Sequence, residues 1–171
     1  MLVTQRKLTF QDRELMSGLG AIEVIHYQLV VDYGAQLEDL VIAGEYGFIG
    51  DLVERQITRN RFLRSTKRGK EILKIIRIQF GRKISPLEAS QLINSGRLQL
   101  PGIVELLHWG IEHPEHQRQS PIVALGAMTL ASGLRHLVYL DSDQISGRDL
   151  AARSYDDLLS PTVRFLTIDP L

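Results

Sequence analysis

Three glutamates and three histidines interleave over one short stretch: Glu105, His108, Glu112, His113, Glu115 and His116. Imidazole and carboxylate are the side chains that hold divalent transition metals and move protons near neutral pH. Glu105, His108 and Glu112 recur at intervals of three and four, so a helix would place them on one face. A metal site can be drawn through His108, Glu112 and His116. Against it, the stretch contains neither His-x-x-x-His nor His-Glu-x-x-His spacing, and Pro114 interrupts the helix between His113 and His116. A polar helix end, where the dipole favours histidine, accounts for the same residues. No metal is therefore assigned, and the residues call for no cofactor.

Asp141-Ser142-Asp143 could bind a cation with a phosphate, but Asp and Ser in this order are the usual residues of a turn. Asp32, at the end of a strand-like run, reads the same way. Nucleophilic catalysis finds no support. Cysteine is absent, and Ser132 in Ala131-Ser132-Gly133 lacks one glycine of the Gly-x-Ser-x-Gly elbow. Neither Gly-x-Gly-x-x-Gly nor a Gly-Lys-Ser/Thr phosphate loop occurs. A non-catalytic protein is expected.

The second group of functional side chains is cationic. Between Arg55 and Lys83 lie eleven bases and one acid, Glu71. Subtracted from totals of twenty and twenty, this leaves nine bases and nineteen acids elsewhere. A chain of zero net charge is thus a strongly basic segment set in an acidic remainder, which is a statement about partners. Arg55, Arg59, Arg61, Arg64, Lys67, Arg68 and Lys70 fall in or beside a stretch with few apolar residues, and there they can converge on a polyanion. Arginine suits phosphate or carboxylate through bidentate geometry. Phe62 is the aromatic side chain placed to stack on a base, with Tyr46 the other one nearby. Lys74 and Arg77, three apart on a strand of period two, must point to opposite faces. Nucleic acid, the acidic surface of another protein, or the acidic face of a second copy in a homo-oligomer would all satisfy the basic loop, and so would plain solvation.

These groups need a scaffold, and the apolar spacing supplies one. Ile25, Tyr27, Leu29 and Val31 alternate with polar or smaller contributions and mark a strand over 22–31, stopped by Asp32-Tyr33-Gly34. Leu37, Leu40 and Val41 mark a helix ending near Gly44; Ile49, Leu52, Val53 and Ile57 mark another. Ile72 to Phe80 is the second strand. Ser85-Pro86-Leu87-Glu88 carries an N-cap, a first-turn proline and a capping-box glutamate, with Gly96 as the stop. The two strand–helix units rhyme, which reads as a shared habit of chain rather than a duplication. Ile103, Leu106, Leu107 and Ile111 make an amphipathic helix ended by Pro114, with Trp109 in the core. Strands follow at 122–125, 137–140 and 163–168, with a short helix expected over 149–159. Residues 1–18 read as an N-terminal arm or short helix, and 19–171 as a single domain with a basic loop at 55–70. At 171 residues the chain can bury a core of its own. The fold class is α+β, a mixed or mostly antiparallel sheet with three to five short helices. Met1 to Gly20 is too polar for a leader and Ile122 to Leu134 too short to span a bilayer, so a cytoplasmic protein without membrane contact is expected.

In segment order the chain resembles a family of bacterial proteins without an assigned activity. The matching residues are Tyr27 to Tyr33, Ala43 to Tyr46, Ile72 to Phe80, Glu105 to Leu107, Pro121 to Gly126 and Arg164 to Leu166. Its C-terminal portion is similar to C-type-lectin-like folds, where a helix precedes compact strands and the last strand ends in Arg-Phe-apolar. The resemblance implies ligand binding by the C-terminal loops. This chain departs from that pattern, since residues 141–160 hold one aromatic, Tyr155. The expectation is a binding protein whose basic loop meets a polyanion, in the manner of a phage or mobile-element inhibitor that occupies a nucleic-acid site. A lectin-like ligand-binding module is the alternative, and a metal-dependent enzyme the third.

Overall fold

The computed structural model describes residues 9–62 and 66–170. Its frame is one seven-stranded mixed sheet in the order β1-β3-β7-β4-β5-β6-β2. The strands are β1 (Glu23–Asp32), β2 (Phe48–Ile49), β3 (Lys70–Gln79), β4 (Ile122–Ala131), β5 (Leu134–Asp143), β6 (Gly147–Ser154) and β7 (Arg164–Asp169). The helices are α1 (Phe10–Leu19), α2 (Leu37–Ala43), α3 (Asp51–Thr58), α4 (Pro86–Ser95), α5 (Ile103–Glu112) and the one-turn α6 (His116–Gln119). Pairing is antiparallel except between β4 and β7 and between β2 and β6. The α+β architecture with a mostly antiparallel sheet follows directly. None of the described helices is long and apolar enough to cross a membrane.

Period two decides which core each side chain enters. Leu29 and Val31 of β1, Leu73 and Ile75 of β3, and Leu166 and Ile168 of β7 face α2, α3 and α5. Val24, Ile76, Ile78, Phe80 and Phe165 face the other way, onto α1 and α4. Both faces of β3 are buried over residues 75–78, where Ile75, Ile76 and Ile78 follow one another with only Arg77 among them. The rhyming strand–helix units send α2 and α4 to opposite faces. Leu19, with Leu15 and Met16 against it, joins the second core, so α1 is part of the packed body rather than an arm.

At the middle of the sheet β4 and β7 stay paired for only two positions, Ile122 with Arg164 and Val123 with Phe165. Beyond Val123 the two strands are no longer paired, and over the same stretch the pairing of β4 with β5 shifts register between Val123 and Met128. Residues 99–101 fill the opening: the Gln99 and Ile168 amides each donate to the other's carbonyl at 2.9 Å, and the Gly126 amide donates to Pro101 O at 2.9 Å. Gly126 allows this approach, because a Cβ there would stand 2.6 Å from the Pro101 carbonyl oxygen.

Two local expectations change. The segment expected as a helix over 149–159 is β6 followed by a turn, with Arg148 and Leu150 buried on alternate positions. Its period of two was masked by a charged inward residue and by Ala151 and Ala152, which suit helices. At α4, Ser85 Oγ accepts from the Glu88 amide at 3.1 Å, but the Glu88 carboxylate turns to Arg82 at 2.7 Å instead of closing the capping box. Helix α4 stops at Gly96, yet the left-handed residue is Arg97, with φ 59°.

Candidate functional site

The arginine-bearing turn is built by the end of α3. Asn60 takes φ 51°, a left-handed conformation that asparagine tolerates, and the Arg61 amide returns to Gln56 O at 3.0 Å. Phe62 then plunges into the first core and bridges Thr129 of β4, whose hydroxyl donates to Arg61 O at 3.3 Å. With 6 % of its surface exposed, Phe62 anchors the turn and offers no face to a base, so the stacking role expected of it is withdrawn. Tyr46 is also engaged, under the Arg148 guanidinium.

Arg55 on the last turn of α3, Arg59 at its C-cap, Arg61, Lys67, Arg68 and Lys70 are all exposed. Arg64 lies outside the described residues. Lys67 bonds Glu71 at 2.7 Å and sits over the Tyr33 ring; Lys70 lies 4.0 Å from Asp32. The side chains of Arg55, Arg59, Arg61 and Arg68 meet no hydrogen-bonding or charged partner among the described residues. Lys74 and Arg77 do face opposite ways. Lys74 lines a groove of about 440 Å³ with His26, Gln28 and Asp169, whereas Arg77 is buried over the Tyr27 ring.

The metal ligands drawn from the sequence do not meet. His108 is fully engaged: its Nδ1–H donates to Val104 O at 2.9 Å and Nε2 accepts from the Asp32 amide at 3.1 Å. Glu105 closes the first turn of α5, accepting from the Gly102 amide at 2.9 Å and from the Tyr33 hydroxyl at 2.7 Å. Glu112 is exposed and belongs to no converging set among the described residues. His116 alone of the expected trio joins a cluster, and its companions are His113 and Glu115, with ligand atoms within 4.8 Å of one another. Pro114, expected to separate the two histidines, ends α5 and folds the chain so that the rings stack at 5.0 Å. The His-Pro-x-His spacing was the sequence signal for this encounter.

Trp109 and Tyr27 back the cluster, with the Trp109 ring 4.4 Å from His113 and edge-on to Tyr27 at 4.9 Å. On its flank Glu23 lies between Arg77 at 3.2 Å and Arg164 at 3.5 Å. Burial, reinforced by the Arg77 charge and only partly opposed by Glu115, pushes His116 down to about 4. Burial also lowers His113, against the opposing charges of Glu115 and Glu112.

A third constellation had no sequence signal, because its members lie on different elements. His26 donates to Asp12 at 2.6 Å at the rim of the groove that holds Lys74. Asp12 also accepts from the Thr9 amide and hydroxyl and so closes the α1 capping box. Asp141 and Asp143, expected in a turn, lie in β5 and pair with β6. Asp141 accepts from the Ser142 amide, and Asp143, the last residue of the strand, accepts from the Ile145 and Ser146 amides of the turn that follows. Asp32 likewise accepts from the Gly34 amide.

Comparison with protein-family models, with curated proteins and with solved structures returned no match.

Proposed function

We propose that the protein is a non-catalytic binding protein that captures a polyanion on the basic surface between α3 and β3, with nucleic-acid phosphate as the group it meets. One observation carries this reading: Arg55, Arg59, Arg61 and Arg68 are exposed and unpaired among the described residues, while the lysines beside them are answered by Glu71 and Asp32. An arginine held on a helix end or a core-anchored turn loses less freedom on binding than one on a free chain, and its fork matches phosphate geometry. Because Phe62 is buried, base stacking contributes nothing from that residue, and contact is through the phosphate backbone without sequence readout.

The experiment is duplex DNA and RNA binding across a salt series. If all four arginines meet phosphates, log K should fall with log salt at a slope of about −3 to −4, near −0.9 per contact. Replacing the four arginines with alanine should weaken binding and flatten that slope. Binding to polyglutamate but not to duplex would assign the surface to an acidic protein partner. A flat series, or a quadruple variant that binds like the parent, removes the reading.

A further inference from the structure

His113 and His116 stand apart from the histidines whose hydrogen bonds are described above. His108 uses both ring nitrogens within the fold, and His26 is held by Asp12. In the cluster, His113 Nε2 and His116 Nδ1 are buried with no hydrogen-bond partner. A buried polar atom left unpaired costs about 1–3 kcal/mol, so two in one cluster point to a missing group. The two nitrogens belong to rings stacked on one another, and Glu115 Oε1 lies 3.4 Å from His116 Nε2.

We propose that His113, Glu115 and His116 form a binding site for a divalent transition-metal ion, with zinc the ion best suited to the ligands. Two imidazoles and one carboxylate are the donors that bind Zn²⁺ while leaving a fourth position for water. Lone pairs of an imidazole lie in its plane, and the rings here are within 10° of parallel. Closure to bonds of about 2.0–2.1 Å therefore requires one ring to turn about its Cβ–Cγ bond. Glu115 stands exposed at the rim, where its carboxylate can swing onto the ion. Trp109 and Tyr27 form the apolar wall behind the rings. The positive charges on the flank are already answered in part, because Arg77 and Arg164 share Glu23. This site is separate from the arginine surface and stands or falls without it.

Tag-free protein stripped with chelator, then titrated with Zn²⁺ calorimetrically and with Co²⁺ by visible absorption, tests the assignment. The parent should take up one ion per chain and melt at a higher temperature with it. Glu115→Gln alters an exposed side chain and should keep the fold by circular dichroism. It should weaken binding at least about tenfold, equivalent to 1.4 kcal/mol. His113→Gln should weaken binding further, and His136→Gln, on the β5 strand, should bind as the parent does. Absence of saturable uptake by the parent, or parental affinity in both Glu115→Gln and His113→Gln, overturns the site.

Discussion

Arg148 is buried and forms no salt bridge among the described residues. Its guanidinium donates to Gly44 O at 2.5 Å, to Gly110 O, and to Gln117 Oε1 at 3.1 and 3.2 Å. It thus ties β6 to the ends of α2 and α5 and to α6, and it lies over the Tyr46 ring at 5.0 Å. Replacing a buried ion pair by apolar side chains can be neutral because both partners disappear. Here two of the acceptors are backbone carbonyls, which no substitution removes. Arg148→Met would strand Gly44 O, Gly110 O and Gln117 Oε1 in a dry interior. Each neutral acceptor left unpaired costs about 1–3 kcal/mol, offset in part because the guanidinium is no longer desolvated, so a net loss of about 3–5 kcal/mol is expected. For a chain of this length that is a fall in melting temperature of about 6–20 °C. Arg148→Lys should recover little, since one ammonium on a single stem cannot span the two helix ends and the glutamine. Urea unfolding of both variants, beside a Gln117→Ala and Arg148→Met double-mutant cycle, measures the loss and its coupling. A loss below about 1 kcal/mol for Arg148→Met, or full recovery by lysine, would refute the argument.

Phe62→Ala should cost about 3–5 kcal/mol in urea unfolding, as for other buried aromatic truncations, showing the ring to be a core anchor. Gly126→Ala should destabilise by about 1–3 kcal/mol in the same assay, because the added methyl meets a Pro101 carbonyl that the Gln99–Ile168 bonds hold in place. Burial draws the Asp12 pKa up, but hydrogen bonds from Thr9 and His26 outweigh it and hold the carboxyl below the usual range. A group depressed in the folded state stabilises fully above its unfolded pKa, so this contribution persists at neutral pH and disappears as acid takes the pH below the carboxylate range. Asp12→Ala should remove about 1 kcal/mol at pH 7 and nothing at the acid end, read by urea unfolding at both pH values.

Strands β1 and β3 were legible because alternation and β-branched residues agree over ten positions each. The caps of α4 and the proline ending α5 were equally open to reading, since their physics is local. What was hidden depends on partners distant in sequence. Arg148 looks like a surface residue until Gly44 and Gly110 are known to lie beside it. Phe62 stands among arginines, so its neighbours in sequence suggested solvent while its neighbour in space is Thr129. Helical spacing selected His108 and Glu112 as ligands. The converging residues lie across a proline turn, where the period of 3.6 no longer applies.

The divergence of β4 from β7 gives the sheet a seam. On one side stand β1, β3 and β7, and on the other β4, β5, β6 and β2, joined edge to edge by only two residue pairs. Bonds across so short a junction cannot make the two flanks unfold as one. That task falls to α5, packed against both β1 and β4, and to residues 99–101 lying between the diverging strands. Amide exchange should accordingly sort the molecule into two cooperative units, with the slowest-opening protons in β3 and β5 rather than at the junction. Under a pulling force the seam is where the molecule would part first, and α5 is the latch that sets how hard one must pull.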